Sequence, residues 1–238
     1  MINIRTSSHP YKGFTLIELL TVIAIIGILA AIIIPTVGGV ITRANRASAA
    51  NNVRQIATGY ISFSTEGARS RSVPSTEATT QGWAAYIAQR GGPNEAVLYY
   101  VSGDPALAAG GGIEAQPTSI LLGEGASRAV NPEWSNAPIG YTAVSGMPAT
   151  APGTTTPLIW TFGLGNDGTW ADGSPWGTTG GHVGYLGGNV DWYGNTNVSG
   201  EEAFQTFGSN ARTGNINDAI PGSATVTTTL GRGAGGGE

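Results

Sequence analysis

From Phe14 to Ile34 the chain is apolar except for one strongly polar side chain, Glu18, and two threonines, Thr15 and Thr21, which can return their hydroxyl bonds to a helix backbone. About 20 apolar residues cover a bilayer as a helix, and a helix satisfies its own backbone groups there. A carboxylate at the edge of hydrocarbon is costly and rarely idle. Glu18 therefore has two choices: find a partner, or snorkel to the headgroup layer. Arg5 and Lys12 precede the run, which places the leader on the cytoplasmic side and the rest of the chain across the membrane.

A cleavable secretory signal has an apolar core of roughly 7–15 residues followed by a small-residue cleavage site. This run is longer, carries an acid near its start, and continues past Pro35 into a helical pattern. A plain membrane anchor accounts for the length and flanking charge. It gives no reason for Glu18, or for Gly13-Phe14 at the polar-apolar boundary.

The segment Lys12-Gly13-Phe14-Thr15-Leu16-Ile17-Glu18 resembles the cleavage and methylation signal of the type IV pilin superfamily, which includes the pseudopilins of type II secretion. The resemblance covers the leader and first helix, roughly residues 5–60. It implies that a prepilin peptidase cuts between Gly13 and Phe14 and that the new amino terminus at Phe14 is N-methylated. It also implies that Glu18 neutralises the amino terminus of a neighbouring subunit entering a filament. Glu18 lies one turn from Phe14 on the same helical face. An unpaired charge in low dielectric costs far more than a paired one, so the pairing would set the axial register between subunits.

The helical pattern continues through Val37, Ile41, Ala44, Ala47, Val53, Ile56, Ala57, Tyr60 and Phe63, close to the 3.6-residue period. One long helix from about Phe14 to Ser64 is predicted, with a weak point at Pro35, Gly38 and Gly39. That region is either where the helix extends or unwinds in a filament, as in pilins, or a simple kink at the membrane exit. Arg43, Arg46 and Arg54 read as a solvated helix face or a lipid-headgroup contact, with no basic face for nucleic acid.

Beyond Gly67 the chain turns small and turn-rich. Glycine reaches 38 of 238 residues, charged residues only 11%, with a net charge of −4 and no cysteine. Disulfides are excluded, and sparse charge suits a subunit destined for an assembly. A short helix is expected around 77–90, capped by Ser75. Strands are expected at Ala96–Ser102, Thr118–Leu122, Ile139–Ser145 and Pro157–Phe162, and a hairpin over Gly181–Tyr193 with Gly187-Gly188 as a two-residue turn. Glu201–Phe207 reads as a helical turn. Pro221–Glu238 reads as a flexible tail, with Ala224–Leu230 able to pair as an edge strand.

The hairpin is similar to one in a pilin-like group with a C-terminal His…Asp-Gly processing-associated motif. Here Gly187-Gly188-Asn189-Val190 stands where Asp-Gly-His-Val would be, and His182 lies in the first strand, which favours turn geometry over chemistry. The only histidines are His9 and His182, and no serine elbow, cysteine nucleophile or zinc motif occurs, so the chain reads as non-enzymatic. No cofactor is expected. Asn166, Asp167 and Asp172 could offer oxygens to calcium, as in a C-terminal loop of some type II secretion pseudopilins; Asp-Gly turns explain the same residues.

The reading is an α+β, pilin-like fold: one long N-terminal helix, apolar then amphipathic, packed on a β-rich antiparallel head. Its parts are a leader at 1–13, a transmembrane and filament-core helix at 14–35, an amphipathic continuation at 36–66, a head at 67–220 and a Gly/Thr-rich tail at 221–238. It is expected in the bacterial inner membrane with its head extracytoplasmic, then in a periplasmic or cell-surface filament of like subunits. Its expected partners are prepilin peptidase, inner-membrane assembly machinery and, before assembly, lipid. The alternative is a membrane-anchored binding domain that never polymerises.

Overall fold

The computed structural model describes residues 14–66, 71–199 and 201–232. The leader, including Gly13 and His9, lies outside them. The chain divides into two units, residues 1–44 and 45–238.

Helix α1 runs from Leu16 to Thr65, within two residues of the expected span. In the first unit it carries the membrane-length stretch Leu16–Ile34, none of it buried. The large apolar side chains onward to Val37, Val40 and Ile41 are exposed as well.

In the second unit the same helix becomes the spine of the head. Ala49, Val53, Ile56, Ala57, Tyr60 and Phe63 are buried, and spacings of three and four residues, with Ile56 and Ala57 side by side, put them on one helical stripe. Tyr60 stacks on Trp83 with ring centroids 5.7 Å apart, and Phe63 meets the edge of Tyr86 at 6.0 Å. Both partners lie on α2 (Thr80–Ala88). The cap of α2 is Thr79, whose hydroxyl accepts from Gly82 N at 3.0 Å, rather than Ser75. Residues 74–77 are spent on a turn (Glu77 N to Pro74 O, 3.0 Å), and Thr79 is held extended by a parallel bridge to Thr228. The helix can start only after it.

The expected strand over Ala96–Ser102 is instead a 3₁₀ turn, Ala96–Tyr99. Its residues are buried almost continuously and tuck under Trp134, which Tyr99 meets at 5.4 Å and Tyr100 at 6.3 Å. A continuous apolar run does not distinguish strand from other buried chain. Short helix α3 (Pro105–Ala109) follows, capped by Asp104. Of Thr118–Leu122 only β1 (Leu121–Leu122) enters a ladder, with β2 (Ala129–Val130).

The main sheet contains β3 (Tyr141–Ser145), β4 (Pro157–Thr161), β5 (Gly181–Tyr185), β6 (Val190–Tyr193) and, after the small pair β7 (Phe204–Gln205) and β8 (Arg212–Thr213), β9 (Thr225–Val226). Its order is β6-β5-β4-β3-β9, antiparallel throughout. Strands β3, β4 and β5 are buried at every position, so both faces are covered and polar alternation is missing. Gly184 on β5 meets α1 so closely that a Cβ would lie 2.4 Å from Val53 Cγ1.

The expected hairpin over Gly181–Tyr193 forms, pairing His182 with Trp192 and Val183 with Asp191. Its turn differs from the two-glycine expectation. Gly188 N donates to Tyr185 O and Tyr185 N to Asn189 O, each at 2.9 Å. Of the two glycines only Gly188 has a positive φ, 88°. That is a three-residue loop ending in a left-handed residue. Gly187 N is bonded to Gly153 O at 2.6 Å, which fixes the other glycine against a neighbouring loop.

Glu201–Phe207 forms no helical turn. Phe204 enters β7, buried against Tyr193 at 5.5 Å. The expected tail is seated as far as the structure describes it. β9 pairs with the edge of β3, Val144 opposite Val226. The Gln81 side-chain amide accepts from Leu230 N and donates to Leu230 O and Ala137 O. Arg232 closes the strap. Its guanidinium is bonded to both oxygens of Asp104 and donates to Ile139 O and Gly173 O, both side chains of the pair almost wholly buried. It also lies over the Phe162 ring at 4.4 Å. The two-residue strand and the polar anchors that hold the strap left no apolar signal in the sequence.

Candidate processing and assembly segment

Phe14 stands exposed at the start of the described chain, followed by Thr15 and the first turn of α1. Thr15 is the N-cap. Its hydroxyl accepts from Glu18 N at 3.3 Å, and the Glu18 carboxylate accepts from Thr15 N at 2.9 Å and Thr15 Oγ1 at 2.7 Å. This reciprocal arrangement is a capping box: the third helical residue reaches back to the cap. Two amide donors that the helix end leaves open are thereby satisfied, and the carboxylate also lies at the positive end of the helix dipole. Thr21 returns its hydroxyl to Glu18 O at 2.9 Å. The spacing Thr-x-x-Glu was present in the sequence as a capping signature.

Glu18 is solvent-exposed in the single subunit, with Leu16, Ile17, Leu19 and Leu20 exposed around it. The helix continues through Pro35, Gly38 and Gly39, and Thr42 Oγ1 donates to Gly38 O at 3.0 Å. A Cβ built on Gly38 or Gly39 would meet nothing within 4 Å. Packing inside the subunit does not demand glycine at either position.

In the head, the Asp167 carboxylate accepts from Thr169 N at 3.0 Å and Thr169 Oγ1 at 2.8 Å, and these bonds hold it below the usual carboxylate range. Asn166 Oδ1 accepts from Asn217 Nδ2 at 2.7 Å, and Asp172 is exposed. The first two side chains thus have protein partners. Among the described residues no group of three His, Asp or Glu is placed to hold a metal ion.

His182 is buried, its ring edge-on to Trp192 at 4.8 Å. Burial, with the Arg46 cation adding to it, pushes its pKa down to about 4. Its neighbours offer no nucleophile-base-acid arrangement, and its Nδ1 has no hydrogen-bond partner. Arg46, read from the sequence as part of a solvated helix face or a lipid-headgroup contact, lies over the Trp192 ring at 4.1 Å.

An exposed, membrane-length apolar helix, begun by a capped acid and preceded in the sequence by Lys12-Gly13, is the arrangement that a comparison with known families then identifies. Residues 9–34 match the prokaryotic N-terminal methylation motif. That motif is the signature of type IV pilins and pseudopilins, and it supports a pilin-like precursor of the kind that prepilin peptidase processes. The match ends at Ile34 and does not reach the hairpin of His182. No solved structure matches the chain. The pilin-like helix and the motif together fit anchoring in the inner membrane. The family is structural rather than catalytic.

Proposed function

We propose that the chain is a structural subunit of a pilin-like filament, a type II secretion pseudopilus or a type IV pilus, polymerised through residues 14–41. Prepilin peptidase removes residues 1–13 after Gly13, and Phe14 becomes the N-methylated terminus. The anchor remains on the mature subunit because the cut falls before the apolar run. In the bilayer the subunit waits with its head extracytoplasmic, until inner-membrane assembly machinery draws the helix out of lipid.

One observation carries this reading: the large apolar side chains described along α1 from Leu16 to Ile41 are exposed, while the head closes its own core with the other half of the same helix. The apolar half therefore presents a surface that suits bundling with copies of itself. Small residues favour close approach of helices out of water, and Gly27, Ala30 and Ala31 lie in this stretch. Glu18 adds register. In the lone subunit its charge is held by Thr15, and in the fibre a neighbour's Phe14 ammonium supplies the counter-charge. Pro35, Gly38 and Gly39 form the stretch of α1 least able to resist extension, since proline lacks a donor and each glycine lowers helix propensity by about 1 kcal/mol.

The test is filament yield from cells expressing the wild-type chain, Glu18→Gln and Glu18→Ala, measured by shearing and electron microscopy. Wild-type fibres, with a yield reduced at least tenfold in both variants despite normal membrane insertion, are expected. A wild-type chain that inserts and is processed but forms no fibres would instead mark a lone membrane-anchored binding domain.

A further inference from the structure

The connection between β3 and β4, residues 146–156, faces the short connection between β7 and β8 across a cleft of about 240 Å³. Backbone bonds fix both walls. On the first, Thr156 N donates to Pro152 O at 3.1 Å and Leu186 N donates to Thr156 O at 3.0 Å. On the second, Thr206 N donates to Ala211 O at 2.9 Å and Phe207 N to Asp218 O at 2.8 Å. The Gln205 amide braces this wall further, donating to Ser209 O at 2.8 Å and to Asn210 Oδ1 at 3.2 Å. The cleft is therefore formed before any ligand arrives, as small-molecule sites commonly are.

Among the described residues no ionisable side chain lines this cleft. Hydroxyls, amides and one half-buried aromatic ring, Phe207, do. The hydroxyls are unspent. Thr156 is only 1% exposed, yet its hydroxyl makes no hydrogen bond among the described residues. The same holds for the hydroxyls of Thr155 and Thr206 and for Asn210 Nδ2. By contrast, the buried hydroxyls of Thr80 and Thr227 meet each other at 2.7 Å, and that of Thr196 donates to Gly214 O at 2.7 Å. A buried hydroxyl without a partner is unfavourable, and a ligand bearing hydroxyls of its own would relieve it. Each threonine can donate and accept, which matches a partner that also does both. An ion would enter this cleft without a counter-charge, and an apolar ligand would leave the hydroxyls unpaired. A sugar ring meets every condition: its rim is hydroxylated, it carries no charge, and its C–H face suits the electron-rich face of an aromatic.

We propose that this cleft binds a neutral sugar ring, with Thr155, Thr156, Thr206 and Asn210 bonding its hydroxyls and Phe207 against its C–H face. Its first wall is tied through Gly153 O to Gly187 N at 2.6 Å. The next residue, Gly188, lies beside Ile61, where a Cβ would be 3.6 Å from Ile61 Cδ1. The cleft thus belongs to the end of the head where α1 stops. The site goes beyond the filament reading and does not depend on it.

Saturation-transfer NMR on the full-length chain in phosphatidylcholine vesicles tests this, with protein-free vesicles as the blank. The probes are the methyl glycosides of glucose, galactose, mannose and N-acetylglucosamine, and cyclohexylmethanol serves as an apolar ring of similar size. A ring of about a dozen heavy atoms binds in the millimolar range. At least one glycoside should receive saturation, and its Kd should rise about fivefold or more in Thr156→Val, in Thr206→Val and in Phe207→Ala. Thr156→Val removes a hydroxyl that the head itself does not use, so its melting temperature by circular dichroism should equal or exceed that of wild type. Binding lost while stability is kept is a result that a merely structural threonine would not give. A polysaccharide of the bound sugar that competes at equal ring concentration would identify a surface polymer as the source, and competition by the free sugar alone a soluble one; both support the site. A folded wild-type chain that saturates none of the glycosides overturns it. So does equal saturation of cyclohexylmethanol, or a Kd that the three substitutions leave unchanged. Each of these failures leaves the filament reading intact, and absent fibres would leave the sugar site intact.

Discussion

Thr15 and Glu18 satisfy each other at the first turn of α1: the threonine hydroxyl accepts from the glutamate amide at 3.3 Å, and the glutamate carboxylate takes the threonine N–H at 2.9 Å. One acid thus serves two roles. It caps the helix in the single subunit, and in the proposed filament it answers a neighbour's amino terminus. The roles separate by chemistry, because glutamine preserves the capping box and removes the charge. In detergent, the helix content of Glu18→Gln should equal wild type, whereas Glu18→Ala should fray at the first turn for the loss of a cap interaction of about 1 kcal/mol. Circular dichroism with amide exchange at residues 15–19 measures this.

The strap that ends at Arg232 should behave as a structural closure. Removing one member of a buried ion pair leaves an uncompensated charge, at a cost of about 3–5 kcal/mol. Arg232→Ala should therefore lower head stability by that order in urea unfolding. The double variant Arg232→Ala/Asp104→Ala should be less destabilised than the single one, since no charge is left buried without a partner.

Gly184 is a contact position between β5 and α1. A methyl there would lie 2.4 Å from Val53 Cγ1, and overpacking of this kind costs about 1–3 kcal/mol. Gly184→Ala should lower the melting temperature. Val53→Ala, which destabilises alone by opening a void, should restore part of that loss when combined with it. A strictly additive pair would contradict the contact.

The buried His182 predicts a pH dependence of known sign. Its pKa falls from 6.5 to about 4 on folding, chiefly through burial. Between these values the unfolded chain binds a proton that the folded chain refuses, so stability declines as pH drops from 6.5 towards 4. Above 6.5 the group is neutral in both states and contributes no slope. His182→Phe keeps an aromatic edge against Trp192 and cannot titrate. Its melting temperature should fall less than that of wild type over the same interval.

The legible parts of this molecule were those written as periodicity or as punctuation. The stripe through Val53, Ile56, Tyr60 and Phe63 fixed the helix and its buried face, and the glycines around Val183 and Val190 framed the hairpin. The illegible parts depend on residues distant in sequence. Ala96–Tyr99 curls under Trp134 because an aromatic from elsewhere covers it. Asp104 and Arg232 are 128 positions apart, and neither carries a local sign of its partner. Arg46 reads as a solvated charge or a headgroup contact because the two tryptophans it lies over, Trp176 and Trp192, are more than a hundred residues away in the chain. At the candidate site the opposite held: Thr15 and Glu18 are three residues apart, and the capping signature was in plain view.

In the proposed filament, cleavage before Phe14 leaves the whole apolar half of α1 on the mature subunit as its assembly surface. Intact mass and amino-terminal sequencing of the chain recovered from native fibres test this directly. The expected polypeptide begins at Phe14, carries one methyl group on its amino terminus and retains residues 14–41. A chain that still bears residues 1–13, or one from which the apolar run is missing, would contradict it.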